Sequence, residues 1–504
     1  MIRNEYKVKD SDRGEFVNNA FFCIGTGRMG LALQQEYLDE LKLMQELASF
    51  SHIRGHGLFC DDMAIYAPVL NDDGTVRSEQ YNFTYLDRVF DSYLKLNIKP
   101  FLELGFMPSK MASGTQTIFY WKGNTTPPAD YSRWSAMITA FISHLIDRYG
   151  RNEVASWPCE VWNEPNLPGF WEKADLQEYL KLYKVSCLAV KSVLPEMRVG
   201  GPAVCGGDRC IPWITAFLNF CRDDHVPVDF VTRHIYMAQT PERKGQYIYH
   251  EMCSPSYSIH EAEETRALID SYPEYHGMEL HITEFNTSYN PRCPIHDTIY
   301  NGALICALLA GLGKFCASYS YWTFGDVFEE TGVYDRQYHG GFGLIADHGI
   351  PKPTAWAYHF FSKLKGTPLL SSEDTLCVRD ENGTYRAVMW NICRDEKQDR
   401  QIRLCLPAEK GESYSIVTEK VDRKNANPLH VWHHLGEPAT LDQEQIMLLK
   451  NASVPGIDSE KVICDGNHIC VDQVLSPNAF ILVTIRKTED SYSDGYVYPE
   501  KENE

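Results

Sequence analysis

From about residue 20 to residue 365, short apolar runs alternate with longer segments whose apolar positions recur every three or four residues. The short runs, 21–25, 52–59, 99–106, 157–164, 198–204, 229–236, 279–286 and 317–324, have the length and side-chain types of buried strands. The segments between them, 31–47, 85–96, 134–149, 176–193, 213–223, 260–271 and 301–312, predict amphipathic helices, with 356–365 as an eighth. In the first of these, Leu31, Leu38, Leu41 and Leu47 keep the helical period. Strand–helix units repeated eight times in order predict a (β/α)8 (TIM) barrel, an α/β fold, over residues 17–365.

Beyond residue 366 the period changes. Short alternating runs such as 385–390, 401–406 and 480–485, separated by turns, predict a β-sandwich over 366–504 with one inserted helix at 441–450. Residues 1–16 precede the barrel, and the stretch 6–16 is expected to lend the sandwich a strand. The tail after Arg486, rich in Glu, Asp, Ser and Tyr, is expected to be mobile.

A formal net charge of −20 argues against nucleic acid and anionic membranes as partners. The first residues carry no apolar signal core and no long uncharged apolar run follows, so a cytoplasmic protein is expected. The 16 cysteines are scattered and form no Cys-x-x-Cys pair. They are expected to be mostly free buried thiols in a reducing compartment.

Two strand ends carry the candidate chemistry. Trp157–Pro158–Cys159–Glu160–Val161–Trp162–Asn163–Glu164–Pro165 runs as a strand and stops at a proline, which leaves Glu164 at its C-terminal lip. Leu280–His281–Ile282–Thr283–Glu284 does the same for Glu284. These are strands four and seven, nearly opposite across a barrel whose chemistry sits at the C-terminal mouth. Two glutamates converging from two sides suit a retaining glycosidase, with the carboxyls about 5–5.5 Å apart. Each could instead be a structural carboxylate, on the surface or paired to an arginine; their joint placement favours the catalytic reading. No His-Glu-x-x-His or Gly-x-Ser-x-Gly motif occurs, and no metal or cofactor is expected. Gly25-Thr26-Gly27-Arg28-Met29-Gly30 is a weak nucleotide signal without a dinucleotide-binding unit behind it.

At this point the sequence resembles glycoside hydrolase family 39, closest to its bacterial β-xylosidases. The resemblance rests on Trp162-Asn163-Glu164-Pro165-Asn166-Leu167, on the stretch from Arg54 to Asp62, on His281-Ile282-Thr283-Glu284 and on Ser320-Tyr321-Trp322-Thr323-Phe324. Gly340-Gly341-Phe342-Gly343-Leu344 and Pro351-Lys352-Pro353-Thr354 extend it, and Asn427-Pro428-Leu429 with Trp432 continues it thinly. It implies Glu164 as acid/base and Glu284 as nucleophile. It further implies Asn163 on the sugar 2-hydroxyl, and His56, Gly57, His234, Tyr236, Tyr289 and Trp322 around the sugar. Of Glu329 and Glu330, it implies sugar-hydroxyl contacts without deciding which residue makes them. The implied activity is a retaining exo-β-D-xylosidase acting on short xylo-oligosaccharides, and the family tends to form tetramers. Family 39 also holds α-L-iduronidases, and related pockets accept α-L-arabinopyranosides. A uronic acid would need a cationic clamp, for which Arg233 and Arg336 are candidates by position. A silent carbohydrate-binding protein would need one of the two carboxylates lost, and both are present.

Overall fold

The computed structural model describes residues 2–489. Eight parallel strands form one sheet: β1 Cys23–Arg28, β2 His52–His56, β3 Lys99–Leu104, β4 Cys159–Val161, β5 Val199–Val204, β6 Phe230–Tyr236, β7 Glu279–Asn286 and β8 Ser318–Tyr321. Neighbours in the sheet follow chain order, and Phe324 N–H donates to Gly25 O at 3.0 Å to draw the last edge onto the first. A Cβ at Gly25 would meet the Trp322 ring at 2.6 Å and Tyr321 O at 2.8 Å. The first glycine of the weak nucleotide signal therefore serves this close approach of β1 and β8.

The helices α1 Gln35–Leu47, α2 Thr84–Lys95, α3 Tyr131–Tyr149, α4 Leu176–Val193, α5 Cys210–Asp223, α6 Pro255–Asp270, α7 Ile299–Gly311 and α8 Pro353–Ser362 alternate with these strands. Several begin ahead of expectation, among them those expected from Trp134, His260 and Trp356. Asp130 accepts from Ser132 N–H as the cap of α3, Ser254 caps α6 ahead of Pro255, and Pro353 opens α8. A first-turn proline loses no helical hydrogen bond, so it starts a helix rather than ending one.

The barrel interior is layered. At the N-terminal end Phe101, Phe230 and His281 meet edge to face, with centroids 5.1–5.8 Å apart, over buried Cys23. Above this floor lies a buried charged layer of Arg54, Glu103 and Glu160, and above that the mouth. Outward side chains such as Ile53, Leu102, Val161, Val231 and Ile282 pack under the helices.

The C-terminal part is a two-layer sandwich. Its six-stranded layer orders Thr367–Ser371, Thr375–Arg379, Tyr385–Trp390, Phe480–Thr488, Ser413–Val421 and Gly456–Ile463, and its neighbours are antiparallel. The second layer holds Ile2–Lys7, Arg400–Pro407 and His468–Leu475. Met389, Ile402, Leu404, Val471, Ile481 and Val483 fill the space between. The N-terminal segment does lend a strand, but it is Ile2–Lys7, ahead of the expected 6–16, and it runs parallel to Arg400–Pro407. The last strand continues past Arg486 to Thr488, and the expected mobile tail beyond Glu489 lies outside the described residues.

The inserted helix is Gln443–Ala452, and a second short one spans Pro428–His434. Trp432 on the latter packs edge-on to Tyr338 at 5.5 Å, in a cluster with Ala346, Ile350 and Leu449. The insertion thus buttresses the segment after β8. Cys405 and Cys470 face each other on paired strands and form a disulfide, which corrects the expectation of free thiols at these two positions. The other fourteen cysteines are free. Among the described residues, no helix is long and apolar enough to cross a membrane.

Candidate active site

At the C-terminal mouth lies a cavity of about 570 Å³, lined in part by His56, Asn163, Glu164, Tyr236, Glu284, Tyr289, Trp322 and Glu330. Glu164 is not on a regular strand. β4 ends at Val161, short of the expected Glu164, because Trp162 and Glu164 take φ of 72° and 45°. Such left-handed backbone costs on the order of 1–3 kcal/mol per residue outside glycine, and it leaves the ladder. Neighbouring contacts hold it in place. Glu164 N–H donates to Ala203 O at 2.9 Å, Trp162 Nε1–H donates to Phe170 O at 2.8 Å, and Asn166 and Cys205 exchange hydrogen bonds at 2.9 and 3.0 Å.

Glu284 reaches the mouth by a different device. Leu280 and Ile282 face the helices, while His281 and Thr283 face the lumen. The register with β6 slips between Arg233 and His234, and the register with β8 slips between Ile282 and Phe285. This irregularity turns Glu284 inward directly after Thr283. Bulges near active sites commonly re-aim a side chain in this way.

A buried charged layer sets the electrostatics. Arg54, with 0 % exposure, donates from Nε to Glu160 at 2.6 Å, from Nη1 to Glu284 at 2.8 Å and from Nη2 to Asn163 Oδ1 at 2.9 Å. Its Nη2 also lies 2.9 Å from Glu103. Burial works against the guanidinium charge, but Glu160, Glu103 and Glu284 outweigh it and push its pKa further up. Thr283 Oγ1–H donates to the other oxygen of Glu160 at 2.9 Å. His56 Nδ1 is hydrogen-bonded to Glu103 at 2.7 Å, and its Nε2 stands 3.4 Å from Glu284.

Tyr236 O–H donates to Glu284 Oε2 at 2.7 Å. Burial, and then the charges of Glu284 and Glu164, push this phenol well above its usual range, so it stays a donor. A hydrogen bond of 2.8 Å joins His234 Nδ1 to Glu164 Oε1. Burial, and then Arg54 and His56, hold His234 well below the usual histidine range and keep it neutral. Burial, and then the charge of Glu284, push the Glu164 carboxyl well above the usual carboxylate range. A carboxylate oxygen of each glutamate and a ring nitrogen of His234 all lie within 4.8 Å of one another. Among the described residues this trio alone is spaced to hold a metal ion; Arg54 already supplies positive charge beside it.

The remaining expected residues divide. The Trp322 ring lies 4.6 Å from that of His56, and Tyr289 stands beside Tyr236 at 6.3 Å. His234 lies beneath the cavity and touches it through Glu164. Gly57 does not line it. It turns the chain after β2 at φ 70°, where a Cβ would press on Trp121 at 3.2 Å. Glu330 lines the cavity, and burial together with Glu284 and Glu164 pushes its carboxyl well up. Glu329 does not: its Oε2 accepts from Arg28 Nη2 at 2.7 Å and Nε at 3.1 Å, and Arg28 also pairs with Asp62. Glu329 thus anchors the loop that presents Glu330.

Neither candidate cationic clamp reaches the cavity. Arg233 is 1 % exposed and turned into α6, bonded to Glu261 at 2.7 Å and to Thr265 at 2.8 Å, and Arg336 pairs with Asp335. Sequence reasoning assigned no role to Arg54, Glu103 or Glu160. The available signal was a charge inside each of three apolar strand runs, which survives burial only when paired.

A parallel eight-stranded barrel with two glutamates and a neutral histidine at its C-terminal mouth has the architecture of a sugar hydrolase. The family model for glycosyl hydrolases family 39 matches residues 7–467, and the chain belongs to that family of glycoside hydrolases. It is similar to a β-xylosidase of Geobacillus stearothermophilus, 46% identical over 495 residues, which spans 96% of each chain. A β-xylosidase of Caldicellulosiruptor saccharolyticus is 36% identical over 476 residues, covering 92% of this chain and 94% of its own. The crystal structure of a monomeric β-xylosidase from Caulobacter crescentus CB15 superposes with a TM-score of 0.86 at 30% identity, over 96% of this chain and 99% of that one.

Proposed function

We propose that this protein is a retaining exo-β-D-xylosidase that releases xylose from the non-reducing ends of short xylo-oligosaccharides. The observation that carries the reading is the approach of a Glu164 and a Glu284 carboxylate oxygen to within 4.8 Å in one cavity. Retaining glycosidases hold their carboxyls about 5–5.5 Å apart, and inverting ones about 6.5–9.5 Å apart to admit a water.

In the first step a Glu284 oxygen attacks the anomeric carbon. The glycosidic bond breaks, its electron pair passes to the leaving oxygen, and that oxygen takes the proton of Glu164. Arg54 and Tyr236 hold Glu284 ready and orient its attacking oxygen. Esterification then removes the negative charge of Glu284, one of the causes that raise Glu164, so the pKa of Glu164 falls. As a base, Glu164 takes a proton from water, the hydroxyl attacks the anomeric carbon, and the ester electron pair returns to Glu284. Asn163, held by Arg54, suits the 2-hydroxyl, and Trp322 with His56 suits the apolar ring face.

The sugar is favoured over a uronic acid by charge. Among the described residues no Lys or Arg lines the cavity, whereas Glu164, Glu261, Glu284 and Glu330 do. A substrate carboxylate would enter an acidic chamber without a partner. We place the reaction in the cytoplasm, on imported oligomers. The test is hydrolysis of aryl β-D-xyloside beside aryl α-L-iduronide and aryl α-L-arabinopyranoside, with the anomer of released xylose followed by NMR. Strong preference for the xyloside with retained configuration is expected. Glu284→Ala is expected to abolish turnover while preserving oligosaccharide binding; undiminished turnover by that variant defeats the nucleophile assignment.

A further inference from the structure

The buried layer under the mouth sets three carboxylates around one guanidinium. Glu103, Glu160 and Glu284 lie 2.9, 2.6 and 2.8 Å from Arg54. Their hydrogen bonds are those of ionised groups. Glu160 accepts from Arg54 Nε and Thr283 Oγ1–H on different oxygens, and Glu284 accepts from Arg54 Nη1 and Tyr236 O–H on different oxygens. Glu103 Oε2 faces both Arg54 Nη2 and His56 Nδ1. Its Oε1 has no partner among the described residues, so a carboxyl proton there would have no acceptor. One positive charge against three negative ones leaves a deficit that burial makes costly.

His56 is placed to reduce that deficit. Its Nδ1 lies 2.7 Å from Glu103 Oε2 and its Nε2 stands 3.4 Å from Glu284 Oε1, so a carboxylate oxygen faces each ring nitrogen. A neutral imidazole has one N–H, and its bare nitrogen would turn a lone pair on one of the two carboxylates; only the imidazolium offers a donor to both. The other charged or titratable neighbours are Arg54, two residues earlier on β2, which opposes a further positive charge, and His234 on β6. His234 is held neutral and adds no charge of its own. The rings of Trp322, Phe106 and Phe119 lie 4.6, 5.9 and 6.0 Å from that of His56, and aromatic faces favour a delocalised cation.

We propose that Glu103 is a positioning residue: it keeps a proton on both nitrogens of His56 and so sets a second positive charge, beside that of Arg54, against the nucleophile. Glu103 does not line the cavity and acts on the reaction only through His56. The proposal rests on the reading of Glu284 as nucleophile given above.

The test is the pH profile of kcat/KM on an aryl β-D-xyloside, for the full-length enzyme and for Glu103→Gln. The amide keeps the size of the side chain and an oxygen to accept from Nδ1–H, but not the charge. His56 then falls back to one proton and the negative charge of the layer is less well offset. The acidic limb is therefore expected to move up by about one pH unit, a roughly tenfold loss of kcat/KM on the acid side. Glu103→Asp keeps the charge and is expected to hold the limb near its wild-type position, even where kcat falls. The proposal is overturned by a limb that stays in place in Glu103→Gln, by one that moves down because only a negative charge was lost, or by one that moves up equally in Glu103→Asp. A second measurement needs no folded Glu103 variant. Proton–nitrogen correlation spectra of the enzyme with isotope-labelled histidine, His56 being assigned by its absence from His56→Gln, are expected to show two protonated ring nitrogens through neutral pH; one bare nitrogen overturns the proposal. Failure to cleave any aryl β-D-xyloside defeats the β-xylosidase reading instead, and the spectra then still decide the state of His56.

Discussion

In the proposed mechanism Glu164 combines two properties that usually exclude each other, deep burial and a protonation state that changes in every cycle. Burial and Glu284 raise its pKa, so the acid form present at low pH persists upward and is lost as pH rises through the raised value. The alkaline limb of kcat/KM is therefore expected to belong to Glu164. In Glu164→Ala that limb should disappear, with a loss of about 10²–10⁴-fold on alkyl xylosides and a smaller loss on aryl xylosides, whose leaving groups need less help from an acid. A limb that persists unchanged in the variant contradicts the assignment. At this scale both glutamates were legible, since each closes an apolar run at a strand end. What was not legible is how they are aimed. The left-handed turn at Trp162 and the register slip before Phe285 follow from contacts with β5, β6 and β8, which no local period records. Glu329 and Glu330 are adjacent in a loop without periodicity, so only the position of Arg28, far away in sequence, tells them apart.

Among the elements, the strands of the barrel were read correctly because each is an apolar run of its own, and the helices because their apolar faces repeat. Errors fell at the ends, where caps and first-turn prolines rather than hydrophobic period decide. The segment after β8 was the least legible. It is irregular and is held by Lys352, whose 0 %-exposed ammonium lies 2.7 Å from Asp297 and 2.6 Å from Asp326 and donates to Gly341 O at 2.8 Å. The two carboxylates together drive that ammonium's pKa up despite its burial. Lys352→Met would leave two buried carboxylates facing each other without a counter-charge. A loss of about 3–5 kcal/mol in unfolding free energy is expected, measured by denaturant titration. A loss below about 1 kcal/mol would mean that the cluster is open to water.

For the molecule as a whole, the sandwich part packs against the segment after β8 that also borders the cavity. Trp432 is 1 % exposed and lies on Tyr338, in the same segment that carries Glu330 and Phe342. Trp432→Ala is expected to cost about 3–5 kcal/mol of stability. It should also raise KM for aryl xyloside several-fold with kcat within about twofold, because Glu164 follows β4 and Glu284 lies on β7, away from this segment. An unchanged KM in a folded variant would separate the sandwich from the site. The N-terminal strand was placed too late in the sequence because Ile2–Lys7 shows no apolar alternation. Asn4 and Tyr6 donate to Asp374 at 2.5 and 2.8 Å, and the backbone pairs with Arg400–Pro407. That pairing has a consequence for a chain made from one end. At synthesis rates of about 5–20 residues per second, the ribosome needs roughly 20–80 s to deliver the partner strand after the first residues emerge. Throughout that interval the leading segment is an open strand edge, which makes the nascent chain, rather than the finished enzyme, the species most exposed to mispairing with its neighbours on the same message.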